Sequence, residues 1–179
     1  IPVPPGFTLT TLVWNSYFEN DHDFPAGLAG LVNEGLEHVQ HLTGTAFGNP
    51  DRPLLLSVRS GARVSMPGMM DTVLNLGLND KTAQGLARAT GNPRFAYDSY
   101  RRFVQMYGDV VMGVSRTTEM EADPFEELLE EKKRLAGIEE DTELSAQNLQ
   151  ELVNEFKELI ELRTGKEFPE DVHQQLWGA

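Results

Sequence analysis

Residues 57–80 read SVRSGARVSMPGMMDTVLNLGLND. Arg59 and Arg63 flank Ser60, Gly61 and Ala62, and a second small-residue loop carrying Met66, Pro67, Gly68, Met69 and Met70 follows at once. Leu54 to Arg59 is a short apolar run bounded by Pro53 and Gly61, and it reads as a buried strand. Val73 to Asn79 reads as a second strand. Its alternation places Leu74, Leu76 and Leu78 on one face, and Val73, Asn75 and Gly77 on the other. The loop between the strands runs from Ser60 to Asp71.

Helical spacing surrounds this β segment. Phe7 to Asn20 carries Leu9, Leu12, Val13, Tyr17 and Phe18 at near-helical intervals, with Thr8 or Thr10 as its N-cap. Leu28 to Leu42 sets Leu28, Leu31, Val32, Leu36, Val39 and Leu42 on one stripe, and Gly44 serves as its left-handed stop. Beyond Asn79 the strand signals end. Lys81 to Ala89 is a short helix closed by Gly91, Asn92 and Pro93. Phe95 to Met106 is a stronger one, with Ala96, Tyr100, Phe103, Val104 and Tyr107 inward. Asp109 to Val114 is ambiguous. Pro124 to Leu135 opens after Asp123, with proline in the first turn. Ser145 caps a helix to about Arg163, its inner face formed by Leu149, Leu152, Val153, Phe156, Leu159 and Ile160, and Gly165 ends it. His41 to Gly48 echoes Leu162 to Pro169, each a Thr-Gly helix stop with Phe three residues on; a shared stop explains this without a duplication.

The chain has 179 residues, 28 acids against 15 bases, a net charge of −13 and no cysteine. Disulfides, thiolate metal sites and cysteine nucleophiles are excluded. No eighteen-residue apolar run suggests a membrane span. The charge is uneven: residues 1–50 hold five acids and no Lys or Arg, residues 51–118 are net positive, and residues 119–161 hold fifteen acids against four bases. That balance argues against nucleic-acid binding, which needs a basic face. The positive segment suits a small phosphorylated ligand, although Arg88, Arg94 and Arg116 read individually as solvated surface. The acidic excess reads as a solvated helix face.

Among the familiar sites, no Gly-x-x-x-x-Gly-Lys-Ser/Thr loop, Gly-x-Gly-x-x-Gly turn or His-Glu-x-x-His pair occurs. His38 and His41 read as a surface pair without a third ligand, and Ser57, Ser60 and Ser65 lack an obvious histidine. No catalytic residue and no metal ligand is assigned. Phosphate binding remains. Arg59 at a strand end can form two parallel hydrogen bonds to phosphate oxygens. Gly61 and Gly68 let backbone N–H groups approach an anion, and Ser60 and Ser65 add hydroxyls. Met66, Met69 and Met70 either plug a core gap or form a flap over a flat apolar group such as a purine ring.

The 57–80 stretch, together with VPPGFTLTT at residues 3–11, GNPRFAYDSYRRF at 91–103 and FPEDVHQQLWGA at 168–179, resembles pyruvate, phosphate dikinase over nearly the whole chain. The related phosphoenolpyruvate synthases lack Ser-Met-Pro-Gly-Met-Met-Asp. The resemblance implies a parent enzyme that interconverts ATP, phosphate and pyruvate with AMP, pyrophosphate and phosphoenolpyruvate. In that family an ATP-grasp-type domain binds ATP and phosphate with Mg²⁺. It phosphorylates a histidine on a swivelling domain, which visits a pyruvate-binding barrel. The resemblance makes Arg59 a nucleotide-phosphate ligand, puts Gly68 in the phosphate-contacting loop, and adds Ser60, Gly61, Met66 and Met69 to the ATP/phosphate site.

The family's Gly-Gly-Lys-Gly-Ala-Asn-Leu segment, its second ATP lobe and its phosphohistidine motif are not found here, and His22, His38, His41 and His173 match no phosphate carrier. The expected class is therefore α+β: part of an ATP-grasp-type nucleotide-binding domain plus a mostly helical subdomain. Residues 1–78 are read as a partial first lobe, 79–166 as the helical subdomain and 167–179 as a return segment. Such a fragment is expected to be inactive alone, with a homodimeric parent in the cytoplasm, or in the plastid if the source is a plant. The alternative is a non-catalytic docking module, presenting its acidic helices or Arg101 and Arg102 to a partner domain.

Overall fold

The computed structural model describes residues 3–59, 72–114 and 123–179, leaving aside the Trp14 side chain. The chain divides into two compact units, residues 1–47 and 48–179.

The first unit holds two helices. α1 is Thr11–Glu19 and α2 is Leu28–Thr43. α1 starts later than its apolar spacing suggests, because the proline-rich entry stays extended. Thr10 occupies the N-cap position but its hydroxyl makes no capping bond. Between the helices the chain reverses through Asp21 and His22, both at positive φ, and Tyr17 packs edge-on to Phe18 and His22. α2 buries Leu28, Val32, Leu36 and Val39, a single ridge at four-, four- and three-residue steps. Leu31 and Leu42, expected on that stripe, are 62% and 57% exposed on the flanking surface. Phe7 lies over α2 at Gly35, where a Cβ would come 2.7 Å from its ring. Gly44, at φ 66, ends α2 as expected. Gly165, at φ 70, ends the helix Ala146–Thr164 in the same way, and in both the preceding threonine hydroxyl donates to the carbonyl four residues back.

The second unit is a two-stranded antiparallel sheet packed on helices. β1 is Leu56–Arg59 and β2 is Thr72–Leu76. They are followed by α3 (Asp80–Thr90), α4 (Pro93–Val110), α5 (Pro124–Ala136), a 3₁₀ turn at Asp141–Glu143, α6 (Ala146–Thr164) and α7 (Val172–Gly178). The class is α+β and mostly helical. α4 and α6 form the centre: Tyr100, Phe103, Val104 and Tyr107 face Leu149, Leu152, Val153, Phe156 and Ile160, all buried. Each large apolar side chain so buried contributes about 1.5–3 kcal/mol. Phe125 of α5 meets Phe156 edge to face at 4.9 Å. At Gly108 the absent side chain lets α4 approach closely, since a Cβ would fall 2.8 Å from Ile160 and 2.9 Å from Phe125.

Several elements depart from the sequence reading, each for a local reason. β2 ends at Leu76, and Asn79 is the N-cap of α3, accepting from the Lys81 and Thr82 amides. Leu76 and Leu78 are buried but Leu74 faces outward, while Val73 turns inward. An irregular register between the strands breaks the expected alternation. Asp109 and Val110 complete α4. Residues 167–179 contain α7, capped by Asp171. The expected caps Asp123 and Ser145 are present, and Ser145 exchanges hydrogen bonds with Asn148. The acidic excess is only partly a solvated face: Lys132 bridges Glu151 and Glu155 of α6 at 3.3 and 2.6 Å, and Lys133 pairs with Glu130 and Asp141.

Candidate phosphate site at the hairpin stem

β1 delivers Arg59 to the mouth of the hairpin. The strand is not buried as its apolar run suggested: its residues alternate between half-buried and exposed. A two-stranded antiparallel sheet packs one face on α4 and leaves the other outward. Ser57 and Arg59, two residues apart, share the outward face, and the Arg59 Nε donates to Ser57 Oγ at 3.3 Å. Arg59 stands opposite Thr72, so the two stems of the intervening loop are neighbours. Among the described residues Arg59 has no carboxylate within ion-pair distance. A guanidinium so placed can offer its terminal N–H groups to an anion lying over the loop.

The other candidate residues, Ser60, Gly61, Met66, Gly68 and Met69, lie outside the described residues, as do Ser65, Met70 and Arg116.

Four other arginines are held elsewhere. Arg88 is exposed and donates to the Pro50 carbonyl and Asp51. Arg94 is not plain solvated surface: its Nε donates to the Leu144 carbonyl at 3.0 Å and its Nη2 to the Asp141 carbonyl at 2.9 Å, tying α4 to the turn before α6. Arg101, considered for docking, is 4% exposed and bound to Asp98 and Gln105. The helical phase at 101 turns inward beside Tyr100, whereas Arg102 stays on the surface against Asp98. His38 and His41 are exposed on α2, and among the described residues no group of three or more His, Asp or Glu could hold a metal ion.

A polar junction that sequence spacing did not reveal sits behind the sheet. The Tyr100 hydroxyl reaches Asp80 Oδ1 at 3.1 Å and Glu170 Oε1 at 3.3 Å. Lys157 Nζ lies 2.7 Å from Asp80 Oδ1 and 2.5 Å from Glu170 Oε1, and 5.1 Å from the centre of the Tyr100 ring. Burial, then the two carboxylates, push the Tyr100 hydroxyl far above the usual phenol range. It stays protonated and donating, which suits a structural clasp and not acid–base chemistry. Beside it, Gln175 is fully buried, accepting from the Gly77 amide at 3.1 Å and donating to the carbonyls of Leu78 at 2.9 Å and Pro169 at 2.8 Å.

Among the described residues, the candidate site is thus an exposed arginine at the end of β1, at the stem of the 60–71 segment. No family model matches the chain. The chain is 55% identical over all of its length to pyruvate, phosphate dikinase of Rhizobium meliloti, of which it covers 19%. It is 47% identical over all of its length to the Clostridium symbiosum pyruvate, phosphate dikinase, covering 20%. It is 51% identical, over 98% of its length, to the chloroplastic pyruvate, phosphate dikinase 1 of Zea mays, covering 18%. The chain aligns with one segment of these pyruvate, phosphate dikinases and spans about a fifth of the length of the curated relatives it matches. No helix among the described residues is long and apolar enough to cross a membrane.

Proposed function

We propose that this chain is part of the ATP- and phosphate-binding domain of a pyruvate, phosphate dikinase, and that Arg59 is a ligand for the nucleotide's phosphates. The observation that carries this is the placement of Arg59: exposed at the loop stem, without a carboxylate partner among the described residues, in a chain alignable end to end with dikinases. The parent protein converts ATP, phosphate and pyruvate to AMP, pyrophosphate and phosphoenolpyruvate. Phosphoryl transfer is mostly positioning and charge neutralisation. Arg59 supplies a fixed planar charge, and Ser60, Gly61, Met66, Gly68 and Met69 complete the cradle and cover the nucleotide. The nucleotide-binding domain is of the ATP-grasp type, with residues 1–78 in its first lobe, 79–166 as a helical subdomain and 167–179 returning toward the rest of it.

Mg²⁺ would accompany ATP in this reaction, neutralising phosphate charge. No carboxylate stands beside Arg59 among the described residues, and no cluster of His, Asp or Glu among them could hold the ion. The phosphoryl group would pass to a histidine on a swivelling domain of the same parent, which would be a homodimer located in the cytoplasm, or in the plastid in a plant. The docking-module alternative is not favoured: Arg101 is buried, and the lysines of the acidic region each hold carboxylates of their own chain.

The test is Arg59→Ala in the full-length protein. The ATP half-reaction should lose about 2–4 kcal/mol of transition-state stabilisation, the scale of removing one charge-stabilising donor, while the pyruvate half-reaction survives. Equal damage to both halves would refute the assignment.

A further inference from the structure

β1 and β2 do not advance in step. Leu56 faces Leu76 and Val58 faces Val73, so two residues along β1 are matched by three along β2. The surplus residue is a β-bulge at Leu74 and Asn75. Asn75 has φ 59, a left-handed backbone that asparagine tolerates and β-branched residues resist. The Leu74 amide donates to the Met106 sulfur of α4 at 3.2 Å, and the Asn75 carbonyl accepts from the Leu78 amide at 3.3 Å. Because of the bulge, Val73 and Leu76 both enter the core although three residues apart. With Val73 anchored there, the pleat assigns its neighbour Thr72, and Arg59 opposite it, to the outward face. A slip of one residue would turn that whole set to the other side.

We infer that Asn75 is a positioning residue for Arg59: its left-handed backbone, next to the Leu74 amide that binds Met106 of α4, fixes the register that presents the guanidinium to the phosphates of a nucleoside triphosphate. The inference rests on the function proposed for Arg59. Asn75 acts through strand pairing.

The experiment uses the full-length protein with MgATP and phosphate, measuring KM and kcat of the ATP half-reaction, the KM for pyruvate in the other half-reaction, and the far-ultraviolet circular dichroism of each variant. Asn75→Val should raise the KM for ATP about tenfold, since misplacement of a positioned group by about 1 Å costs that much or more, with the pyruvate KM within about twofold. Asn75→Gly, which adopts the left-handed conformation freely, should keep both constants within about twofold of the parent. Arg59→Ala separates the two layers. If it leaves ATP kinetics unchanged, the functional reading falls and the inference with it. If it impairs them while folded Asn75→Val does not, the inference alone falls. A matching rise in the pyruvate KM of Asn75→Val also overturns it. Should Asn75→Val fail to fold, Met106→Leu decides, because it keeps volume and removes the acceptor. A rise of about threefold in the KM for ATP supports the inference, and an unchanged value overturns it.

Discussion

At Gly85 a single methyl group would land 1.7 Å from the Pro50 carbonyl oxygen. The obstacle is backbone, not the flexible end of a side chain, so α3 or the 48–53 segment must move. Gly85→Ala should therefore cost about 1–3 kcal/mol, the range for overpacking, seen as a lower urea midpoint with unchanged slope. A midpoint equal to that of the parent would show that the 48–53 segment yields freely. Nothing in the sequence marks Gly85, because its need arises from a segment distant along the chain. Three glycines that stop helices were legible, since their requirement is local: Gly44, Gly91 and Gly165 all carry left-handed backbones. Arg59 was legible in the same local sense, through its strand-end position. The burial of Arg101 was not, because Tyr100, Arg101 and Arg102 differ only in helical phase.

Among whole elements, long periodic helices were readable and the sheet was not fully so. α4 and α6 follow their apolar periodicity, because packing of an amphipathic face decides helix formation. β2 obeys a tertiary demand that its alternation hides. Leu74, Asn75 and Leu76 alternate cleanly in sequence, yet the bulge reassigns their faces so that Leu76, Leu78 and Val73 can all be covered. α7 lacked a strong apolar pattern, and its position depends on one amide. Gln175 joins α7 to the exit of β2 through the buried Gly77 amide and Leu78 carbonyl, and also donates to the part-buried Pro169 carbonyl ahead of α7. Gln175→Ala should leave those groups unsatisfied and destabilise the protein by roughly 3 kcal/mol or more, given about 1–3 kcal/mol per orphaned group. Hydrogen exchange should then accelerate first at the Gly77 amide and in α7. If exchange rises evenly throughout, Gln175 is not the clip between these elements.

Across the described residues, the two groups shifted furthest are phenols. Burial pushes Tyr107 up to about 12, and Tyr100 is raised further by burial and its carboxylate neighbours. Both start from an ordinary value of 10.0. The folded chain thus retains protons that the unfolded chain releases above that value. The associated stability is complete below it and is lost as pH rises through the folded values. The urea midpoint should fall between about pH 10 and pH 12, and Tyr100→Phe should flatten that fall. Phenolate absorbance from all four tyrosines in a protein that is still folded would contradict this.

The Asn79 side-chain amide donates to the Glu170 carbonyl at 2.8 Å, and the Asp80 amide to Glu170 Oε2 at 3.2 Å. The chain therefore departs from the sheet and rejoins it at one doorway, after a detour of 91 residues. Residues gained or lost in the turns of that detour shift neither doorpost. Evolution and the protein engineer have their widest latitude in the connections on either side of α5, away from the α4 and α6 side chains that hold Asp80 and Glu170.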